Sequence, residues 1–275
     1  MASYRFYGHG VANAAPADKR YSAVQTPRAL YDLLCGIWCS YTCAPRLRES
    51  WSKENMTLGQ CSITAFLVQD IFGGEVRGVL RPGGNYHCYN VVDGAVFDLT
   101  SEQFGDEELD YTDNPIQTRE EHFAKEEKLR RYEYLKHELH CAIGLEERVL
   151  TVNVNCGIPI SVTGKLRDIV MIPFTGRAEG ALFMGSVVGS GFDTQEISKD
   201  GACRLSARYM LSGEDAEGRG CKVFIQNQTT TDGSLRPEIV TDSPLLARYE
   251  GADLSAHIQP TDKGVCVRIY SMTET

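Results

Sequence analysis

Hydrophobic and polar positions change their period once along the chain, and the change divides it. Up to about residue 145 the apolar residues recur mainly at helical spacing; beyond it they alternate in short runs. In the first part Ile63, Phe66, Leu67 and Ile71 repeat at intervals of three to four after Cys61, and Gly73-Gly74 offers a left-handed stop. That predicts a helix opening at the cysteine. Arg28 to Cys39 carries a second helical pattern. Thr118 to Ile143 carries a third, with a Thr118/Glu121 capping box, an apolar stripe of Phe123, Leu129, Tyr132, Leu135 and Leu139, and Gly144 as its cap. Residues 1–25 show no sustained period and read as a flexible lead-in. Two apolar runs flank Asp93-Gly94, the dipeptide favoured in a two-residue type I′ hairpin. That turn sets Val92 opposite Ala95, Val91 opposite Val96, Tyr89 opposite Asp98 and His87 opposite Thr100.

After a boundary near residues 144–150, strand-period runs occur at 149–154, 168–172, 203–209, 222–226 and 265–270, with turn signals at Asp200-Gly201, Gly218 to Gly220 and Asp262 to Gly264. Short strands with no helix between them predict a barrel or sandwich over 150–275. The fold class expected is therefore an α+β domain at 26–145 followed by an all-β barrel domain.

The candidate chemistry sits in the first part. At a helix start, unpaired N–H groups and the positive end of the dipole favour the Cys61 thiolate, the nucleophilic form, although most free cysteines are simply small buried hydrophobes. The hairpin register makes His87 and Asp98 diagonal neighbours on one face, roughly 7–8 Å apart at the backbone, a gap that their side chains can close. Asp98 would orient His87, and His87 would take the proton from Cys61. A slip of one residue would separate the two. Gln60, or backbone N–H groups at the helix start, are candidates to stabilise an oxyanion; Asn90 and Thr100 are further supporting candidates.

Gly59-Gln60-Cys61, Thr64-Ala65, Val68-Gln69-Asp70, Gly73-Gly74, His87, Tyr89-Asn90, Asp93-Gly94, Asp98-Leu99-Thr100 and Gln103-Phe104, with Trp38, Trp51 and the helix opening at Thr118, resemble the YunG-like family of small bacterial proteins over about residues 25–140. The order cysteine, histidine, aspartate is similar to that of papain-like and transglutaminase-like thiol enzymes. The resemblance implies a cysteine on a helix and the other two residues on a sheet, with no implied substrate. Gly185, Val187, Gly189, Gly191, Asp193, Gln195, the run Arg204 to Tyr209, Val223, Ile225, Asn227 and the run Val265 to Tyr270 resemble a β-barrel family known as domain of unknown function 3237, over about 150–273. Where that family tends to carry an acidic residue, this chain has Ser206.

Arg204, Ser206 and Arg208 share one strand face, with Tyr209 on the other. Facing a lumen, the arginines would suit an anionic or carbonyl-bearing ligand; facing out, they are a solvated surface. The candidate ligand residues of the barrel are Arg204, Arg208, Tyr209 and Asn227.

Composition then narrows the classes. Of 275 residues, 42% are hydrophobic and 24% charged, ordinary for globular protein. A net charge of −9 argues against a nucleic-acid partner. No apolar run is long enough to span a membrane, and the start lacks a secretion signal. The ten cysteines therefore read as reduced thiols in a cytoplasmic protein. Cys35, Cys39 and Cys43 would line one stripe if their helix lasted that far, but the spacing fits core packing better than a metal set. His137, His140 and Cys141 are conceivable metal ligands, but a helix-end cation role suits the two histidines more simply. No Walker loop, dinucleotide fingerprint or zinc set is present, so no cofactor and no metal are expected, and the pattern specifies no oligomeric state. The expected partner is a small-molecule or acyl substrate. The expected function is a thiol-dependent hydrolase or acyltransferase acting on an amide, ester or thioester; the alternative is a non-catalytic binding protein whose working part is the barrel.

Overall fold

The computed structural model describes residues 4–230 and 233–273. It separates into two compact units, Met1–Leu145 and Glu146–Thr275. Residues 1–3 of the expected lead-in, and 231–232 and 274–275 of the expected barrel, lie outside the described residues.

In the first unit α1 (Pro27–Ile37), α2 (Cys61–Phe72), α3 (Arg119–Phe123) and α4 (Glu126–Ala142) accompany an antiparallel sheet of β1 (Glu75–Leu80), β2 (Tyr86–Val92) and β3 (Ala95–Phe97), in that order. Thr26 caps α1, its hydroxyl accepting from the N–H of Ala29 at 3.2 Å. Because α1 ends at Ile37, Cys35, Cys39 and Cys43 do not share a helix stripe. Helix α2 is apolar nearly all round and supplies Ile63, Phe66, Leu67, Val68 and Ile71 to the core, which Leu30, Leu34, Trp38, Leu135 and Leu139 join from α1 and α4. Its stop is Gly73, at φ +75°.

Two expectations change here. Residues 4–25 are packed rather than flexible: Phe6, Ala12, Tyr21 and Val24 belong to the core, since isolated apolar side chains with no period can still be buried by long-range contact. The helix expected over 118–143 is broken at Ala124-Lys125. The break lets Lys128 Nζ donate to His122 Nδ1 at 2.9 Å; in one continuous helix, residues six apart lie about 240° apart around the axis.

The second unit is a ten-stranded antiparallel sheet: β4 (Glu146–Cys156), β5 (Ile160–Thr163), β6 (Arg167–Glu179), β7 (Phe183–Val187), β8 (Gly191–Ser198), β9 (Cys203–Asp215), β10 (Gly220–Thr229), β11 (Leu235–Thr241), β12 (Leu254–Thr261) and β13 (Gly264–Met272). The path β11-β10-β9-β7-β6-β4-β13-β12 ends with β12 packed beside β11, and the sheet closes into a barrel. Leu150, Val152, Ala178, Leu211, Val223, Ile225 and Ile269 fill its interior. Most of the chain's regular structure is β. Among the described residues no helix is long and apolar enough to cross a membrane.

Candidate active site

The hairpin between β2 and β3 has the predicted register at its turn end: Val92 pairs Ala95, Val91 pairs Val96 and Asn90 pairs Phe97. Asp93 and Gly94 both have positive φ, at +50° and +78°, as a type I′ turn requires. The ladder then stops. Asp98 leaves β2 and pairs with Tyr7 instead, its N–H donating to the Tyr7 carbonyl at 3.0 Å.

The stop has two consequences. It lets the Asp98 side chain reach His87, whose Nε2–H donates to Oδ2 at 2.5 Å, with both residues almost wholly buried. It also leaves the edge of β2 uncovered at Cys88, where the backbone N–H is directed at the Cys61 sulfur. Cys61 is the first residue of α2 and half-buried. Gly59, at φ +69°, passes so close to Cys43 that an added Cβ would stand 2.7 Å from its sulfur.

Asp98 is saturated. Oδ1 accepts from the N–H and the hydroxyl of Thr100, each at 2.9 Å, while Oδ2 accepts from His87 and from the Tyr111 hydroxyl, the latter at 2.9 Å. Burial opposes its charge, but the His87 cation and these donors prevail and hold its carboxyl below the usual range. Burial likewise opposes a charged His87, and the Asp98 and Cys61 charges outweigh it, raising the imidazole to about 10. Burial would push the Cys61 thiol up; the His87 charge, a hydrogen bond from His87 and the Cys88 N–H bring it down to about 7. The buried Nδ1 of His87 meets no partner at hydrogen-bond geometry, yet the ring acts on Cys61 as both charge and donor, so Nδ1 is the nitrogen left for the sulfur. Both shifts favour a thiolate beside an imidazolium.

The supporting candidates divide. Thr100 serves Asp98. Asn90 ties β2 to α2: its Nδ2 donates to the Ala65 carbonyl at 2.9 Å. Gln60 donates from Nε2 to the Cys39 carbonyl at 3.2 Å, leaving its buried Oε1 without a partner. In the barrel, Tyr209 and Asn227 are buried on the inner face, whereas Arg204 and Arg208 are exposed. Of the two alternatives for this strand, the arginines take the solvated one: Ala207, Tyr209 and Leu211 occupy the apolar face of β9, and strand alternation sends Arg204 and Arg208 outward.

Tyr7, Tyr111 and Phe104 were not legible as site residues. Tyr7 stacks on Tyr111 with ring centroids 4.0 Å apart, and Phe104 meets the His87 ring edge-on at 4.7 Å. All three line an open cleft of about 1250 Å³ that also includes Thr57 and Gln103, but not Cys61 or His87. Beyond Cys88 lies a second polar cluster. His122 Nε2–H donates to Gln117 Oε1 at 3.1 Å, and burial together with the neighbouring lysines keeps this ring neutral, with its pKa at about 4. Only the capping pattern of α3 hinted at that segment. Among the described residues no group of three or more His, Cys, Asp or Glu side chains is placed to hold a metal ion.

Residues 26–144 match the family model described as YunG protein, and residues 146–240 the one described as a protein of unknown function, DUF3237. The chain is 43% identical over 56 residues to the uncharacterized protein YunG of Bacillus subtilis (strain 168), across 20% of this chain and 48% of that protein. It is 31% identical over 86 residues to a UPF0311 protein of Clostridium acetobutylicum, across 30% of this chain and 51% of that protein. It thus spans about half the length of the curated relatives it matches. Among solved structures, a protein with unknown function from Clostridium acetobutylicum is similar with a TM-score of 0.40 and 21% identity, over 46% of this chain and 96% of that one.

Proposed function

We propose that the first unit is a cysteine-dependent acyl-transfer enzyme, a hydrolase or acyltransferase, in which Cys61 is nucleophile, His87 the acid and base, and Asp98 the group that orients His87. The observation that carries this reading is the pairing of a half-buried helix-start thiol with a buried His87-Asp98 pair whose second ring nitrogen is unused. The Cys61 thiolate adds to an amide, ester or thioester carbonyl, forming the C–S bond. Backbone N–H groups at the start of α2 are the donors best placed for the oxyanion. Collapse of the tetrahedral species breaks the bond to the leaving group, which takes its proton from His87. Water or an amine then gives a proton back to His87 and displaces the thiolate from the thioester. The helix-borne cysteine, followed by a histidine on an antiparallel hairpin and an aspartate just beyond its second strand, supports a papain-like or transglutaminase-like kinship. The cleft beside Phe104 and Tyr111 carries Glu54, Asp106 and Glu108, which favours amine-bearing over anionic substrates.

The test is the pH profile of iodoacetamide labelling at Cys61, read by mass spectrometry. The expected midpoint is near pH 7 and moves above the free-thiol value of about 8.5 in His87→Ala. A midpoint at or above that value in the parent chain would remove the basis of the proposal.

A further inference from the structure

The barrel is packed along only part of its length. Inner residues Leu150, Val152, Ala178, Leu211, Val223 and Ile269 are wholly buried. Toward the other end the residues facing the same way are half-exposed: Val170 and Ile172 on β6, Asp193 and Gln195 on β8, Leu205 and Ala207 on β9. Their common direction follows from the register, which pairs Asp193 with both Ile172 and Ala207, and Gln195 with both Val170 and Leu205. Directly opposed residues of an antiparallel pair lie on one face. The interior is thus solid at one end and open to water at the other.

Where the two parts meet stand Tyr209 and Asn227, 7% and 6% exposed. Register places Asn227 opposite Ala207, and Tyr209 opposite Ile225, on the inner face. The Asn227 Oδ1 is buried with no hydrogen bond. Nor does the Tyr209 hydroxyl have a partner among the described residues; burial alone acts on it and raises its pKa. A buried polar atom without a partner is costly and uncommon in folded proteins, and the Asn227 Oδ1 at the floor of an open space, with an unbonded phenol beside it, calls for a partner from outside the chain. Phe174 meets the Tyr209 ring edge-on at 5.3 Å, and Gly191 leaves room for that Phe174 ring, since an added Cβ would stand 2.4 Å from it. Above them Gln195 Nε2 donates to Asp193 Oδ2 at 2.9 Å, which turns a carboxylate into the mouth. Among the described inner-face residues at this end none is lysine or arginine.

From this arrangement we infer that the open end of the barrel is a binding site for a neutral small molecule with an apolar ring body and a hydroxyl or N–H donor. The ring lies against Phe174, Ile172 and Ala207, and the donor reaches Asn227 Oδ1 with Tyr209 beside it. Asp193 at the mouth disfavours anions, the opposite of what inward arginines would have selected. This site lies wholly within the second unit and does not depend on the chemistry at Cys61.

The experiment uses the full chain with naphthol and naphthoate as matched probes, followed by titration calorimetry. Naphthol is expected to bind at least tenfold more tightly than naphthoate. Asn227→Leu is expected to weaken naphthol tenfold or more while its thermal midpoint holds or rises, because an unpaired buried amide has been replaced by an apolar group of similar size. Tyr209→Phe, which removes a single oxygen, gives the same direction if Asn227→Leu fails to fold. Cys61→Ala leaves naphthol binding unchanged. Absence of naphthol binding, equal affinity for the two probes, or unchanged binding in both Asn227→Leu and Tyr209→Phe would overturn the inference.

Discussion

Tyr7 holds Asp98 in place. The Asp98 N–H donates to the Tyr7 carbonyl at 3.0 Å, and the Tyr7 ring stacks on Tyr111, whose hydroxyl donates to the Asp98 carboxylate. An N-terminal residue thereby fixes both the backbone and the side chain of the group that orients His87, and the strand that would otherwise have continued as β3 is drawn out of the sheet.

The Tyr111 hydroxyl donates to a buried, charged carboxylate, so Tyr111→Phe leaves that lone pair bare. A hydrogen bond to a charged group is worth about 1.5–3 kcal/mol. Chemical denaturation is expected to show a loss in that range. A change under about 0.5 kcal/mol would mean that water replaces the phenol, a substitution the burial of Asp98 argues against.

Asp98→Asn removes the charge that sustains the His87 cation. The Cys61 thiol then loses its main acidifying influence and follows burial upward. Each unit of pKa above the working pH is tenfold in thiolate, so iodoacetamide labelling at pH 7 is expected to fall about tenfold or more with the fold intact by circular dichroism. Retention of the parent rate would detach Asp98 from the thiol.

Stability against pH carries a signature of the Cys61-His87 pair. With His87 raised from 6.5 to about 10, its contribution is complete below pH 6.5 and is lost as pH rises through 10. With Cys61 lowered from 9.0 to about 7, its contribution is complete above pH 9 and is lost as pH falls through 7. Between pH 7 and 9 the two slopes oppose each other, so the parent chain is expected to be nearly flat. Cys61→Ala keeps only the His87 slope and is expected to lose stability with rising pH there, by up to about 1.4 kcal/mol per unit. Urea midpoints at three pH values decide between a flat and a falling variant.

Gly59 sits in the left-handed region with the Cys43 sulfur and the Ala44 nitrogen where a Cβ would go. Gly59→Ala combines backbone strain with a clash and is expected to cost about 1–3 kcal/mol. Because Gly59 lies two residues before Cys61, labelling of that thiol is expected to slow as well. Gly10→Ala, where nothing stands within 4 Å, is the matched control and is expected to be neutral.

What could be read from residues alone was local. Helical spacing with a following Gly73 placed Cys61 at a helix start, and Asp93-Gly94 set the register of the β2-β3 hairpin, because both are encoded by neighbours a few residues apart. Alternation and turn residues marked five of the barrel's strands for the same reason. The register was legible only as far as Phe97: it set Tyr89 opposite Asp98, whereas tertiary structure gave Asp98 to Tyr7. No local pattern announces a partner some ninety residues away. Tertiary structure also packed residues 4–25, broke the helix at Ala124 and turned Arg204 and Arg208 outward. A strand's period of two establishes that Arg204 and Tyr209 lie on opposite faces; only closure of the barrel, which buries whichever face is apolar along every neighbouring strand, decides which of them is inside.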